Sequence, residues 1–300
     1  MDLHVHFAAE APEGDLSARF RRSLVFQLLR RTEARGPDPA AALRARLLDS
    51  AASLRTLDAV VVLALDRPYS EVGLPLAPDL HVPNRTVAAL TGPRVRLGAS
   101  VHPYRPDALE ALEEAVALGA VLIKWLPNAQ RIDPASPKCR PFYARLRELS
   151  LPLLSHTGDE HTLPNPVQNL GDIRRLVPAL EAGVTVIAAH GGTGGDVRVM
   201  EIAALVERYP RLFLECSALW TPHRFGAMQA RLALPSIREQ WVYGSDWPVP
   251  IFWPLTWRQR SPALRAARQL SNPFDRRVAA ALALGVPEGA VSRGGALCRL

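Results

Sequence analysis

Two histidines one residue apart begin the chemistry of this chain, in the run Asp2-Leu3-His4-Val5-His6. On a β-strand, residues i and i+2 project from the same face, so both imidazoles point one way. Two neutral imidazoles converging from one strand make half of a site for a divalent ion. Three further polar residues end apolar runs in the same manner: His156 in Leu153-Leu154-Ser155-His156-Thr157-Gly158, His190 in Val186-Ile187-Ala188-Ala189-His190-Gly191-Gly192, and Asp246 in Val242-Tyr243-Gly244-Ser245-Asp246-Trp247-Pro248. Glycine or proline follows each closely, as a sharp loop requires. One histidine at a strand end is usually structural, satisfied by a backbone carbonyl. The conjunction is what points to metal: a His-x-His pair at His4 and His6, a histidine ending each of two further strands at His156 and His190, and Asp246 ending another.

Lys124 ends the apolar run Val121-Leu122-Ile123-Lys124-Trp125. Of 36 Lys+Arg residues only Lys124 and Lys138 are lysine. A lysine kept inside an apolar strand of so arginine-rich a chain points to chemistry that needs a primary amine, which can be neutral and nucleophilic where guanidinium cannot. Three readings stay open: a carbamate bridging two metals, a contact to Asp246 or substrate, or a charge-balancing residue beneath the site. Trp125, Arg131, His161 and Trp247 lie just past strand ends and are expected to touch substrate. Trp220 and Trp253 share that placing, and for all four tryptophans the packing of loops over the barrel is an equal explanation. His102 ends a strand and either lines the pocket or makes a turn, while His81 and His223 read as solvated loop residues. The run Gly191-Gly192-Thr193-Gly194-Gly195 lacks the Lys-Ser/Thr of a P-loop and reads as a flexible loop.

These residues need elements to carry them to one place. Short runs rich in Val, Ile and Leu recur at 2–7, 59–65, 95–102, 121–126, 151–156, 184–190, 212–217 and 241–245, as strands buried on both faces should. Amphipathic helical patterns lie between them at 106–118, 139–149, 172–182 and 196–209, punctuated by Gly119, Gly183 and Pro210. Eight strands alternating with helices predict an α/β fold, a (β/α)8 TIM barrel spanning 1–300 as one domain. Polar residues at the strand C-termini then converge on the face where such barrels place active sites. Two long connections, 8–57 and 66–83, follow strand ends and are candidate pocket walls. The tail 257–300 is expected to be helical and to close the outside.

Composition narrows the function classes. With 48% hydrophobic and 22% charged residues, the 300-residue chain reads as an ordinary globular protein. No apolar run is long enough to span a bilayer, which argues against a membrane partner. The start of the chain does not read as a secretory signal, and Cys139, Cys216 and Cys298 have no paired spacing, so a reducing, cytoplasmic setting is expected. The net charge of +7 is spread along the chain with no basic run or interleaved aromatics, which argues against nucleic acid. The expected partner is a small-molecule substrate, with homo-oligomerisation left open.

The motifs Asp2-Leu3-His4-Val5-His6, His156, His190 and Gly244-Ser245-Asp246-Trp247-Pro248 resemble the amidohydrolase superfamily, and within it the amidohydrolase-related branch that holds metal-dependent hydrolases and aminocarboxymuconate-semialdehyde decarboxylase-like enzymes. Ala283-Leu284-Gly285-Val286-Pro287 and Gly294-Gly295-Ala296 resemble its closing segment, with Gly295 where asparagine is expected. The resemblance implies a divalent metal, zinc first with manganese or iron as alternatives, as one or two ions. It implies His4, His6, His156 and Asp246 as ligands, His190 as activating residue or second-metal ligand, and Lys124 at the carboxylated-lysine position of binuclear members. The expected reaction is hydrolysis of a lactone, ester or cyclic amide by a metal-activated water, with Asp246 as general base and His190 polarising the substrate oxygen. Two alternatives stand beside it: non-oxidative decarboxylation of an unsaturated or aromatic carboxylate, which Arg131 would favour, and a metal-binding barrel without turnover.

Overall fold

The computed structural model describes residues 1–8, 14–164, 166–194, 196–253 and 261–298. Eight strands lie side by side in chain order: β1 (Asp2–His6), β2 (Val60–Leu63), β3 (Val95–Ala99), β4 (Ala120–Trp125), β5 (Leu153–Ser155), β6 (Val186–Ala188), β7 (Leu212–Glu215) and β8 (Trp241–Val242). Every ladder between neighbours is parallel. The sheet closes on itself where β1 meets β8 and the loop after it. Leu3 N donates to Tyr243 O at 3.1 Å, Asp246 N to His4 O at 2.8 Å and His6 N to Trp247 O at 2.6 Å, and Val5 bridges Trp247 in parallel. The architecture is a (β/α)8 barrel, and each strand falls on one of the apolar runs.

Strand alternation sorts the apolar side chains into two layers. Val61, Leu63, Leu122, Leu154, Ile187 and Val242, from five strands, pack together inside the barrel. Val60, Val62, Ile123, Trp125, Leu153 and Val186 face outward, into one core with helix residues such as Leu112, Leu146, Ala179 and Ile202. The helix Arg140–Leu149 shows how the outer layer is specified. Phe142, Tyr143 and Leu146 make its buried stripe, and Ser150, at φ 53°, ends it in a left-handed turn.

Helices Ala108–Ala117 and Val199–Arg208 match the sequence pattern. The segment 172–182 does not form one continuous helix. A 3-10 turn, Ile173–Leu176, runs into a short helix, Val177–Glu181, because Pro178 cannot supply the amide that would carry α-helical bonding through the junction. The tail carries Pro262–Gln269, Pro273–Ala283 and Glu288–Leu297; residues 257–260 and 299–300 of that expected helical region lie outside the described residues. The two long connections interlock, since Asp15–Leu16 pairs antiparallel with Leu80–His81. His81 Nδ1 sits 3.0 Å from Asp15 Oδ2 in that ribbon, so it is a pinned residue rather than a solvated one.

The interior packing gives a direct test. A Cβ added at Gly98 on β3 would lie 2.5 Å from Leu63 Cδ2 and 3.0 Å from both Leu122 Cδ1 and Val61 Cγ1. We expect Gly98→Ala to lower unfolding free energy by about 1–3 kcal/mol through overpacking. Gly92→Ala, which meets nothing within 4 Å, should stay within about 0.5 kcal/mol. Urea denaturation of the two variants checks the difference.

Candidate metal centre

The strand period fixes which side chains rise from the barrel floor. Lys124 is two residues beyond inward-facing Leu122, and His156 two beyond Leu154, so each continues its column toward the C-terminal mouth. Trp125 is one step out of phase. It is buried, stacked at 5.5 Å on Phe142 and 5.7 Å on Tyr143, with Nε1 donating to Val101 O. The expectation that Trp125 touches substrate is therefore corrected: it belongs to the strand–helix layer. Trp247 is likewise buried, 5.5 Å from Phe274, and does not line the mouth.

At the floor of the mouth, His4 Nε2 lies 3.0 Å from His6 Nε2 and 3.5 Å from Asp246 Oδ1, and His6 Nε2 is 3.2 Å from Asp246 Oδ1. Lys124 Nζ is 3.1 Å from His4 Nε2. The lysine thus reaches the site, but among the described ion pairs it is His4 and His6 that hold Asp246, not Lys124. Burial lowers the Lys124 ammonium from its ordinary value, with the Asp246 and Glu215 charges opposing. Burial also keeps His4, His156 and His190 neutral, with Lys124 and Arg224 adding to the effect. Asp246 goes the other way. Its burial opposes charge, but the His6 hydrogen bond and the charges around it hold the carboxyl below its usual range.

Behind the mouth lies a network that strand reading alone did not single out. Glu215, at the end of β7, is fully buried and accepts from His4 Nδ1 at 3.0 Å, Ser217 Oγ at 2.6 Å and Ser217 N at 2.6 Å. Ser217 Oγ is 2.8 Å from His190 Nδ1, and His190 Nε2 is 3.1 Å from His156 Nδ1. One proton assignment satisfies the whole chain. Ser217 donates to Glu215, His190 Nδ1–H donates to Ser217, and His156 Nδ1–H donates to His190 Nε2. His4 then gives its Nδ1 proton to Glu215 and keeps a lone pair on Nε2. His156 keeps one on its own Nε2, which is buried with no hydrogen-bond partner.

Those lone pairs are the test of fit for a metal. Two imidazole nitrogens 3.0 Å apart share at most one proton, an ionised carboxylate closes the group, and a further buried imidazole nitrogen has no partner. The donor set suits a divalent ion of the zinc type. His4, His6 and Asp246 form one group of convergent ligand atoms, all within 4.8 Å of one another. A second group, His4, His190 and Glu215, meets the same spacing, but Ser217 and the Glu215–His4 contact already occupy its atoms. We take the first as the centre and the second as its support, in the manner of carboxylate–histidine–metal triads. His190, at φ 60°, and Asp246, at φ 57°, both hold left-handed backbone, a strain that persists where the surroundings fix a site. The glycine run beside His190 serves packing: a Cβ on Gly191 would meet Trp241 Cη2 at 2.7 Å. Gly195 of that run lies outside the described residues.

Above the floor is a cavity of about 130 Å³ lined by His6, His156, His190, Asp246, Glu160 and Arg224, with walls that include Phe20, Phe26, Leu65, Leu126 and Leu163. His161 lines its rim, 4.6 Å from His223. Arg131 does not reach it; that exposed side chain belongs to a separate cavity with Asp66 and Gln130, because Arg131 caps the turn Pro127–Gln130 in a left-handed conformation. His102 is also structural. Its Nδ1 accepts from Tyr104 N and its Nε2 lies 2.9 Å from Gln130 O. Glu215 carried the same signal as Lys124, a charge ending an apolar strand. Arg224 carried none in so arginine-rich a sequence.

The family model described as Amidohydrolase matches residues 1–282. The barrel is similar to an uncharacterized TIM-barrel protein from Bordetella bronchiseptica, at 16% identity and TM-score 0.63, over 100% of this chain and 99% of the other. It is also similar to a putative 2-pyrone-4,6-dicarboxylic acid hydrolase from Pseudomonas putida, at 18% identity and TM-score 0.56, over 99% and 96% of the two chains. A 2,6-dihydroxybenzoate decarboxylase from Rhizobium shares the fold at 15% identity and TM-score 0.55, over 99% and 98%. No curated protein sequence matches the chain. The chain belongs to the amidohydrolase family and is a metal-dependent enzyme of that superfamily. Among the described residues no helix is long and apolar enough to cross a membrane.

The support network generates a prediction. A Cβ on Gly244 would fall 2.0 Å from Glu215 Oε1 and 2.7 Å from His4 Cβ, so Gly244→Ala must displace the carboxylate that orients His4. Glu215→Gln keeps the shape and weakens the acceptor. Each should weaken metal binding by about 10–100-fold, as read by titration in metal buffers, with circular dichroism confirming that the barrel is retained.

Proposed function

We propose that this enzyme hydrolyses a small carbonyl substrate, a lactone, ester or cyclic amide, at a divalent centre held by His4, His6, His156 and Asp246. The observation that carries the reading is Asp246 Oδ1, an ionised carboxylate set 3.2 Å from His6 Nε2 and 3.5 Å from His4 Nε2 on the cavity floor. Hydrolysis needs a proton acceptor beside the attacking water, and this is the carboxylate so placed. When bound, the metal supplies Lewis-acid activation of water and carbonyl. Asp246 takes the water's proton and passes it to the leaving oxygen or nitrogen. His156, oriented through His190, Ser217 and Glu215, holds its Nε2 toward the reaction without a proton of its own. His190 then acts through His156, and its role is positioning. The apolar walls exclude bulk water and strengthen each of these interactions.

Decarboxylation of an aromatic carboxylate is the second reading, supported by the similarity to a 2,6-dihydroxybenzoate decarboxylase. The same site would serve it, with Asp246 moving a proton to carbon. Zinc-loaded protein assayed on a panel of lactones, cyclic amides and aromatic carboxylates separates the two. Acid release from lactones supports hydrolysis, and carbon dioxide release without it overturns hydrolysis in favour of the second reading.

Two substitutions probe the roles. Asp246→Asn keeps the shape and loses charge and basicity, and should lower kcat by at least about 10²-fold with the fold retained by circular dichroism. An active Asp246→Asn protein contradicts the general-base role. Lys124→Arg should lose both metal and turnover, because a permanently charged, larger group would sit against His4 Nε2 in a buried position. Metal analysis distinguishes the roles of the amine. Two ions whose uptake depends on bicarbonate identify a carbamate at Lys124, and one ion with a free amine identifies a contact to His4. Full activity in Lys124→Arg removes the functional reading of this residue.

A further inference from the structure

Glu160 is a buried carboxylate in the wall of the catalytic cavity, and its two oxygens are used unequally. Oε1 accepts the backbone amides of Thr162 and Leu163. Oε2 accepts from no group among the described residues. His156 Nδ1 stands 3.7 Å from it and has its own partner in His190 Nε2 at 3.1 Å. Nor is Oε2 fully enclosed, unlike His156 Nε2 or Asn128 Oδ1, so the surface it keeps opens on the cavity. The charge of Glu160 acts on Arg224 and on Lys124, which offsets the cost of burying it. Among the described residues, however, no lysine or arginine nitrogen comes within 4.0 Å of this carboxylate. The attraction acts at a distance and leaves Oε2 without a donor.

A staple for a loop needs one acceptor oxygen and no charge. Ser17 and Ser23 each hold the first turn of a helix with a neutral hydroxyl. The second oxygen of Glu160 exceeds that task, yet it is held in place. Gln168 Oε1 accepts from Glu160 N and Gln168 Nε2 donates to Glu160 O, both at 2.8 Å. Buried Asn128 donates in turn to Gln168 Oε1 at 3.1 Å. With the backbone gripped on one side and Oε1 on the other, Oε2 is aimed before any ligand arrives. Opposite it the cavity wall is apolar, with Phe20, Phe26, Leu126 and Leu163 in one cluster. An acceptor left unmet where water is excluded is costly, and a ligand that brings a donor removes that cost.

Resting on the hydrolytic reading above, we propose that Glu160 Oε2 sets the specificity of the site by accepting the ring N–H of a cyclic amide whose carbonyl faces Asp246. The substrate class narrows accordingly, from lactone, ester or cyclic amide to the cyclic amide. Oε2 stands beside Nδ1 of His156, the ring whose Nε2 is a candidate metal ligand. The acceptor is therefore within one imidazole of the candidate centre, close enough for an N–H bonded directly to the carbonyl carbon. A lactone or ester carries an oxygen in place of that N–H. Two oxygens then face each other and neither can donate. A site built to pair a polar group rejects the analogue that lacks the partner, because its own buried group is left unpaired.

The test reads binding to the metal-free full-length protein, so its result is separate from the reaction assigned above. δ-Valerolactam, N-methyl-δ-valerolactam and δ-valerolactone are titrated into wild type and Glu160→Gln by ligand-observed NMR. In the variant the Thr162 and Leu163 amides still require the side-chain carbonyl oxygen, so the amide nitrogen takes the place of Oε2 and the acceptor becomes a donor. Wild type should bind the lactam at least about tenfold more tightly than the lactone or the N-methyl lactam. Glu160→Gln, with its fold checked by circular dichroism, should lower the lactam-to-lactone affinity ratio by at least about tenfold. A lactone bound as tightly as the lactam by wild type overturns the proposal, whether or not the variant folds. So does an unchanged ratio in a folded Glu160→Gln protein, which would leave Glu160 as a loop staple. A lactam preference in a protein that, loaded with zinc, turns over neither compound sinks the hydrolytic reading and leaves Glu160 as the N–H acceptor. Turnover of the lactone alone overturns the assignment of the substrate class.

Discussion

The contact on which the rest depends is the seam where the barrel closes. A parallel barrel needs its last strand to find its first, and here that meeting uses the residues of the candidate metal centre. Asp246 N donates to His4 O at 2.8 Å and His6 N to Trp247 O at 2.6 Å. These backbone bonds satisfy groups that would otherwise be buried unpaired. They also set the Asp246 carboxylate against the His4 and His6 imidazoles. The left-handed backbone at Asp246, φ 57°, is what turns its side chain from the strand line into the mouth. Closure and ligand geometry are therefore one constraint. A change that opens the seam scatters the site, and a change that moves Asp246 costs the barrel its closing bonds.

From the seam, order passes around the barrel through protons rather than packing alone. Glu215 on β7 receives the Nδ1 proton of His4 and the hydroxyl proton of Ser217, and Ser217 connects to His190 and then to His156. Each link fixes which nitrogen of the next ring is bare. A buried imidazole with an undefined tautomer would be a poor ligand, since half its states present N–H to the metal. The network removes that ambiguity for His4 and His156, on strands far apart in the sequence. Gly244 is part of the same device, because only a residue without Cβ leaves Glu215 its place.

Much of this is legible in the sequence. The eight apolar runs gave the strands, because doubly buried parallel strands cannot hide their composition, and His4, His6, His156, His190 and Asp246 stood out as polar ends to those runs. The period of two also separates Lys124, inward beyond Leu122, from Trp125, outward onto Phe142, a distinction that proximity to a strand end alone does not make. Glu215 was legible on the same logic as Lys124. Arg131 and Arg224 were not. Which of many arginines faces the cavity depends on how the loops after β4 and β7 fold back, and local pattern does not encode that. The wall over the site was equally hidden. It is built where residues 14–32 meet the loop after β2, a contact held by the short ribbon Asp15–Leu16 with Leu80–His81 and by Ser17, whose N and Oγ both donate to Asp79.

That wall completes the physical logic of the centre. The floor concentrates Asp246, Glu215, Lys124 and several imidazoles in a volume where water would screen them. Phe20 and Phe26, packed at 5.4 Å, and Leu65, Leu126 and Leu163 cover it with apolar surface. Excluding water lowers the local dielectric, and charges a few ångströms apart then interact several times more strongly than in solvent. The same exclusion makes each unpaired group expensive, which is why the Glu215 network satisfies its ring nitrogens so fully. Among the imidazole nitrogens at the candidate centre, His156 Nε2 is the one left buried with no hydrogen-bond partner. In a site otherwise closed by hydrogen bonds, what is left unsatisfied shows where the chemistry is meant to arrive.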